Sequence, residues 1–317
     1  MFYSSRPAGV AMPLSARKMS KLMEDVRVMR QKMRSIELPE KAWVGIIPTV
    51  VFEWWGLVAE GKGSNGFAPM APFDEARNQD NLSEISTREF GGSVGAPRLL
   101  EMLDDYRIKA SWVTTGNVAE RYPDLVGRIG KGGHELIGHA YDHDTVYLRL
   151  SRAQEKADIR RTTRAFEKVA PGWEKNGWST PWWLSTPNTL ELLMEDKYLS
   201  HSDFLNDELP YTIQKKGKKI VEIPLSIGVN DVVGSPETFE KRFRTTLDYM
   251  YKLGKSGKPK IFNFNVHAFI AGRPHWMVPI ENVLRYSLSL PRVWLTTRDK
   301  IAKWWLGDYP EGQVELP

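Results

Sequence analysis

Residues Lys260–His267, KIFNFNVH, alternate with a period of two. Phe262, Phe264 and Val266 fall on one face of the strand this pattern predicts, and Asn263, Asn265 and His267 fall on the other. The apolar row calls for helices packed against it, while the Asn-Asn-His row faces inward. His267 then sits at the carboxyl end of its strand, which is where barrel enzymes carry catalytic groups. The competing bland reading is a strand-end histidine that caps a loop carbonyl.

Outward from this strand the chain alternates between extended and helical patterns. Val44–Phe52 (VGIIPTVVF) reads as a buried strand entered by Trp43. A helix over Pro97–Tyr106 precedes a strand over Lys109–Thr115, a helix over Ala119–Lys131 and a strand over His134–Gly138. Ser151-Arg-Ala-Gln154 is a capping box that opens a helix running to Pro171-Gly172. Thr189–Asp196 reads as helix, Ile220–Ile227 as extended, and Pro236–Leu253 as helix. After Lys260–His267 come a helix over Val278–Leu290, a strand over Arg292–Thr296 and a closing helix over Asp299–Trp305. Repeated βα units predict an α/β fold with a parallel sheet, open or closed into a (β/α) barrel. Residues 54–94, rich in Gly, Ser, Asn and Pro, predict a long loop over one mouth as a lid or subunit contact. Residues 1–40 read as an N-terminal helical extension ahead of a barrel domain over 41–317. Pro13–Arg34 there lines up Leu22, Met23, Val26, Met29 and Met33 for burial against the body or a second subunit.

Composition narrows the chemistry. The 317 residues include no cysteine, which removes disulfides, thiolate nucleophiles and cysteine-held metals. The net charge of +5 owes much to the first 34 residues, and no basic stripe with interleaved aromatics marks a nucleic-acid surface. No apolar run approaches the ~20 residues of a membrane span, and the N-terminus lacks the apolar core of a secretory signal. A soluble, cytoplasmic protein with a small-molecule substrate, without nucleic-acid or membrane partners, is the expectation.

Six histidines are available. His139 and His143, in GHELIGHAYDHD, are four apart, and on one helical turn both imidazoles would share a face, as in a two-histidine metal site. The alternative is a pair of solvated surface histidines beside Asp142 and Asp144. Glu53 closes the first strand just before Trp54-Trp55-Gly56, where a carboxylate can be a metal ligand, a general base or a plain ion-pair partner. Trp54, Trp55, Trp112, Trp182 and Trp183 cluster near predicted strand ends, as packing groups or as a substrate platform. Asn230-Asp231 follows another extended segment, with the same ambiguity.

With these residues in view, the chain resembles the polysaccharide deacetylase (NodB-like) superfamily. KGGHELIGHAYDHD, PWWLSTPNTLELLMEDKYLSHSDFLNDELPY and VHAFIAGRPHW are similar to its histidine, third and last motifs. The match runs from about Val44 to Trp305. GSVGAPRLLEMLDDYRIKASWVTTG and the Gly-Arg-Pro after His267 look most like the intracellular branch of peptidoglycan-deacetylase-like proteins, cofactor-independent allantoinases and cyclic imide hydrolases. The resemblance implies a distorted (β/α) barrel of seven or eight strands and a homotetramer. It also implies His139 and His143 as metal ligands, His267 as general acid, Trp182 and Trp183 as pocket wall, Asp231 near an acidic position, and Arg273 beside the last motif. Trp54, Trp182, Trp183, Asp231 and Arg273 are accordingly the expected substrate-binding residues.

The first motif departs from the family's two carboxylates, because VVFEWW supplies only Glu53. In one alignment Glu53 is the base and Trp54 replaces the ligand; shifted by one residue, Glu53 is the ligand and the base is missing. Two histidines with one carboxylate would leave an open position on a divalent metal such as zinc, lowering the pKa of bound water toward ~7. The allantoinase-like members imply that hydrolysis is also achieved without a tightly held metal. The leading expectation is hydrolysis of a non-peptide C–N bond in a small amide, cyclic imide or ureide. A de-N-acetylase of an N-acetylated sugar, and a catalytically silent binding barrel, are the competing readings.

Overall fold

The computed structural model describes residues 14–55 and 82–317. Ten strands form one sheet: β1 (Val44–Phe52), β2 (Ser111–Thr114), β3 (Glu135–Gly138), β4 (Gly177–Trp178), β5 (Ser200–His201), β6 (Tyr211–Lys215), β7 (Lys218–Glu222), β8 (Lys260–His267), β9 (Val293–Leu295) and β10 (Gln313–Glu315). Their order is β10-β6-β7-β5-β4-β3-β2-β1-β8, with β9 also on β1, and every pairing is parallel except the β6–β7 hairpin. This is an α/β, mostly parallel, distorted barrel. The distortion lies between β7 and β8, where irregular backbone replaces a strand. Ile261 N donates to Glu208 O, Asn265 N to Val229 O, and Asn230 pairs with Asn265.

β1 is the pivot. It is buried along its whole length, pairs with β8 from Val44 to Val51, and shares its other edge between β9 (Val44–Ile46) and β2 (Thr49–Phe52). Pro48 sits between those two pairings, a place where a strand tolerates the loss of one ladder donor. In β8 the predicted alternation holds. Phe262 and Phe264 pack edge-on against Phe243, and Phe264 also against Phe239, both from the helix Pro236–Lys255.

Several elements differ from the sequence expectation. The predicted lid loop over 54–94 falls partly outside the described residues, and Leu82–Gly95 is helical, ending in a π-turn over Gly91–Gly95. Its glycines permit close packing: a Cβ on Gly95 would lie 1.9 Å from the Ala268 carbonyl oxygen. The helix expected over Ala119–Lys131 is two, Gly116–Arg121 and Pro123–Lys131. Tyr122, preceding a proline, is driven out of the helical region to φ −124°, ψ 56°. The extended segment expected over Ile220–Ile227 is a strand only to Glu222, in a hairpin whose Lys216-Gly217 turn has positive φ at both residues. The capping box at Ser151–Gln154 is present in both directions.

The helix Leu14–Lys32 covers its own chain. Leu22 and Val26 are buried in a cluster with Trp305, Tyr309 and Val314, each burial contributing roughly 1.5–3 kcal/mol. Arg30 fixes the register with an ion pair to Asp207 and hydrogen bonds to the Leu209 and Pro210 carbonyls. Among the described residues no helix is long and apolar enough to cross a membrane.

Candidate active site

Because β1, β3, β4 and β8 run parallel, their carboxyl ends open on the same mouth, and each delivers a polar side chain there. Glu53 follows β1, His139 follows β3, Ser179 follows β4, and His267 ends β8. All four line one cavity of about 290 Å3, together with His143, Trp182 and Trp183.

His139 and His143 do not share a helical turn. They lie on a loop in which Ala140 takes a left-handed φ of 57°, folding the chain back so that the imidazole centroids are 5.5 Å apart. The loop is tied down at Tyr141 N, which donates to both Asp158 carboxylate oxygens, and at His143 N, which donates to Trp54 O. Gly138 sets the approach, since a Cβ there would meet the Trp178 ring at 2.5 Å. His139 Nδ1 donates to the Ser179 carbonyl at 2.5 Å, which fixes the tautomer and leaves the Nε2 lone pair facing the cavity.

Glu53 lies between the two imidazoles. Its Oε2 is 3.1 Å from His143 Nε2 and 3.6 Å from His139 Nε2, and ligand atoms of all three residues fall within 4.8 Å of one another. Burial, the largest single influence, raises the Glu53 pKa, but His143, His139 and His267 together outweigh it and bring it down to about 2. Burial likewise brings His143 down to about 4 against the pull of Glu53, so that its imidazole is neutral near pH 7. A buried carboxylate with two neutral-capable imidazoles is a donor set that fits zinc or a similar divalent ion. This geometry matches the alignment in which Glu53 is a ligand. Among the described residues no second carboxylate lines the cavity.

His267 is clamped from behind. Asp231 receives its Nδ1–H at 2.6 Å and its backbone N–H at 2.6 Å, turning Nε2 away from the aspartate. Burial, the largest influence, lowers the His267 pKa, but the Asp231 and Glu53 carboxylates more than offset it and the net shift is upward. A protonated imidazole at this position is a proton donor to whatever occupies the cavity.

Three expected substrate contacts are elsewhere. Asp231 has its carboxylate committed to His267 and does not line the cavity. The Trp54 indole packs on Tyr122 beneath the Arg121 guanidinium, 4.1 Å from the ring centroid, while its backbone links β1 to the histidine loop. Arg273 bonds the Phe269 carbonyl and covers the Phe90 ring, because the Gly-Arg-Pro turn aims it at the helical layer. Trp182 and Trp183 do line the cavity, on consecutive left-handed residues with φ 59° and 58°. Such backbone costs bulky residues on the order of 1–3 kcal/mol each and recurs at ligand clamps. Trp182 stands 4.9 Å from His143, ring to ring.

Sequence reading missed what lies beneath. His201 is fully buried, with Nδ1 on Glu222 at 2.5 Å and Nε2 on Asp203 at 2.9 Å. Asp203 in turn accepts from Ser179 Oγ and Thr180 N, so this cluster holds the residue whose carbonyl orients His139. Arg298, 1% exposed, reaches the cavity floor from the start of the last helix. A strand-end His201 two residues before Asp203 was a usable signal; nothing local distinguishes Arg298 from a helix-start arginine.

A parallel, incompletely closed barrel gathers Glu53, His139, His143 and His267 at its strand ends, a set of groups with the chemistry to hydrolyse an acyl–nitrogen bond. The sequence profile of the polysaccharide deacetylase family matches residues 86–198. The chain is 23% identical to the peptidoglycan deacetylase of Helicobacter pylori, over 71% of this chain and 88% of that protein. It is 24% identical to a peptidoglycan deacetylase-like protein of Gibberella zeae, over 72% of this chain and 80% of that one. The structure superposes on that of PuuE allantoinase with a TM-score of 0.75 at 23% identity, covering 88% of this chain and 95% of that one. The chain thus carries a polysaccharide deacetylase sequence profile over residues 86–198 and shares the fold of that solved structure.

Proposed function

We propose that the protein hydrolyses a C–N bond in a small amide, cyclic imide or ureide. The observation that carries this reading is the convergence of Glu53, His139 and His143 with the Asp231-clamped His267 on one cavity of about 290 Å3. That volume suits a compact ring between Trp182 and Trp183 and is small for a sugar polymer. The fold likeness to an allantoinase is in keeping with it.

Glu53 Oε2 and the Nε2 atoms of His139 and His143 would hold a divalent ion, zinc being the best match to the donor set. When bound, such an ion supplies a Lewis acid that polarises a carbonyl and acidifies water. Trp182 and Trp183 flank the substrate, and burial of the site excludes bulk water. His267 donates the proton on Nε2 to the departing nitrogen, while Asp231 keeps Nδ1–H bonded and stabilises the imidazolium. In the balance, the hydroxyl of water joins the acyl carbon, the C–N bond breaks, the amine leaves with the proton from His267, and the remaining proton of water restores His267.

The similarity to peptidoglycan deacetylases favours one second reading, a de-N-acetylase acting on a small N-acetylated sugar. Wild type and His267→Ala, both checked for folding by circular dichroism, are screened against cyclic imides, ureides and N-acetyl sugars. Turnover of an imide or ureide that His267→Ala abolishes supports the proposal, and turnover confined to N-acetyl sugars replaces it. A cytoplasmic homotetramer belongs to the same proposal, and light scattering that returned a monomer would remove the tetramer from it.

A further inference from the structure

Beside His267, on the same face of β8, Asn265 and its neighbour Asn230 across the irregular seam between β7 and β8 form part of the cavity wall. Both are more than nine-tenths buried. Their amide orientations are dictated by groups that can only donate. Val232 N–H donates to Asn230 Oδ1 at 3.0 Å, so the Asn230 oxygen is occupied and its Nδ2 is free. Ser226 N–H donates to Asn263 Oδ1 at 2.7 Å, which forces Asn263 Nδ2 to donate to Asn265 Oδ1 at 2.9 Å. Asn265 Nδ2 is thereby left without an acceptor.

Below them lies Arg298, whose guanidinium has five N–H donors and no acceptor. Nη2 reaches Thr49 Oγ1 at 3.4 Å, while Nε and Nη1 are buried with no partner. The acidic groups within electrostatic reach are Glu135, Asp203 and Glu222. None of them forms an ion pair with Arg298, and Asp203 and Glu222 are both bonded by His201. Buried donors without acceptors cost on the order of 1–3 kcal/mol each, so this wall is built for something that supplies oxygen.

We infer that Asn230 and Asn265, backed by Arg298, form a donor-only subsite for a second acceptor oxygen of the substrate, beyond the carbonyl under attack. This deepens the proposed function and rests on it. A carbonyl across an imide or ureide ring, or a carboxylate on an open-chain amide, carries that chemistry; a group that itself presents an N–H to this wall is rejected. A simple monoamide lacks the second oxygen and forfeits the interaction.

The test is calorimetric titration with succinimide, succinate and 2-pyrrolidinone, the last being succinimide less one carbonyl. Succinimide or succinate is expected to bind at least about tenfold more tightly than 2-pyrrolidinone, the value of one satisfied hydrogen bond. In Asn265→Leu the tighter ligand falls to the level of 2-pyrrolidinone. Preference for succinate identifies charge as the source and preference for succinimide a neutral carbonyl; either supports the subsite. Repeating the titrations in His139→Ala removes capture of a carboxylate by a metal ion, and loss of discrimination there overturns the inference. Equal affinities for all three probes in wild type, no binding of any at tens of millimolar, or unchanged discrimination in folded Asn265→Leu overturn it as well. The wild-type comparison needs no variant to fold. None of these readouts involves turnover, so an enzyme that hydrolyses imides without discriminating the probes keeps the proposed function and loses this subsite alone.

Discussion

Replacing His201 by leucine tests whether the buried cluster under the site carries both stability and geometry. His201 stands between Glu222 and Asp203, all three fully buried at the side chain. Burial, the largest influence, lowers its pKa, but the two carboxylates overcome this and raise it to about 10, so it is a cation at neutral pH. His201→Leu leaves two carboxylates facing a dry interior, a loss of about 3–5 kcal/mol. With an unfolding entropy of about 2.1 cal/mol/K per residue over 317 residues, each degree near Tm corresponds to roughly 0.7 kcal/mol. The expected fall in Tm is therefore about 4–7 °C at pH 7, read by differential scanning calorimetry. The pH dependence has a definite sign. A histidine whose folded pKa is raised contributes fully below its unfolded value of 6.5 and loses that contribution as pH rises through about 10. The wild-type Tm should consequently drop between pH 8 and 10.5 more than that of His201→Leu, the two curves converging. A variant within a degree of wild type at pH 7, or parallel curves to pH 10.5, would refute the reasoning.

Other expectations follow from the same geometry. Elemental mass spectrometry of untagged protein should find close to one zinc or manganese per chain, lost in both His139→Ala and Glu53→Ala; metal retained in either variant removes that residue from the ligand set. Asp231→Asn takes away the carboxylate that raises the His267 pKa, so the alkaline limb of kcat against pH should move to lower pH while KM changes little; an unmoved limb shows that His267 is not the acid. Gly95→Ala drives a Cβ into the Ala268 carbonyl and should cost about 1–3 kcal/mol in urea unfolding, whereas the open-surface Gly307 should accept alanine without such loss. Trp182→Ala should raise KM for flat substrates several-fold with kcat less affected, and an unchanged KM denies it a place in substrate binding.

The strand-helix alternation was plain from the sequence wherever a period of two or 3.6 ran for a full element, as in Lys260–His267 and Pro236–Lys255. Elements of two residues, such as β4 and β5, are too short to show any period, yet they deliver Ser179 and His201. The histidine pair was legible, but its geometry was not. Four-residue spacing suggests a helical turn, and only the left-handed Ala140, with Asp158 seventeen residues on holding Tyr141 N, gives the actual loop. Asp231 was visible as a residue near the site but not as the partner of His267, because that contact spans 36 residues. The donor-only wall was invisible for the same reason: which way an asparagine faces is decided by backbone N–H groups that sequence does not locate.

The pairing of β1 with β8 joins residues more than two hundred positions apart. During synthesis, VGIIPTVVF emerges long before β8 and must wait for most of the intervening barrel before its longest partner exists. Its β8-facing edge stays bare in the meantime, a nine-residue apolar strand open to pairing with other chains. Closure of so distant a contact carries a loop-entropy cost, which is expected to slow folding. The strand that positions Glu53 is thus also where the nascent chain is most exposed to aggregation, so chaperone demand should fall when β8 is supplied earlier in the chain by circular permutation.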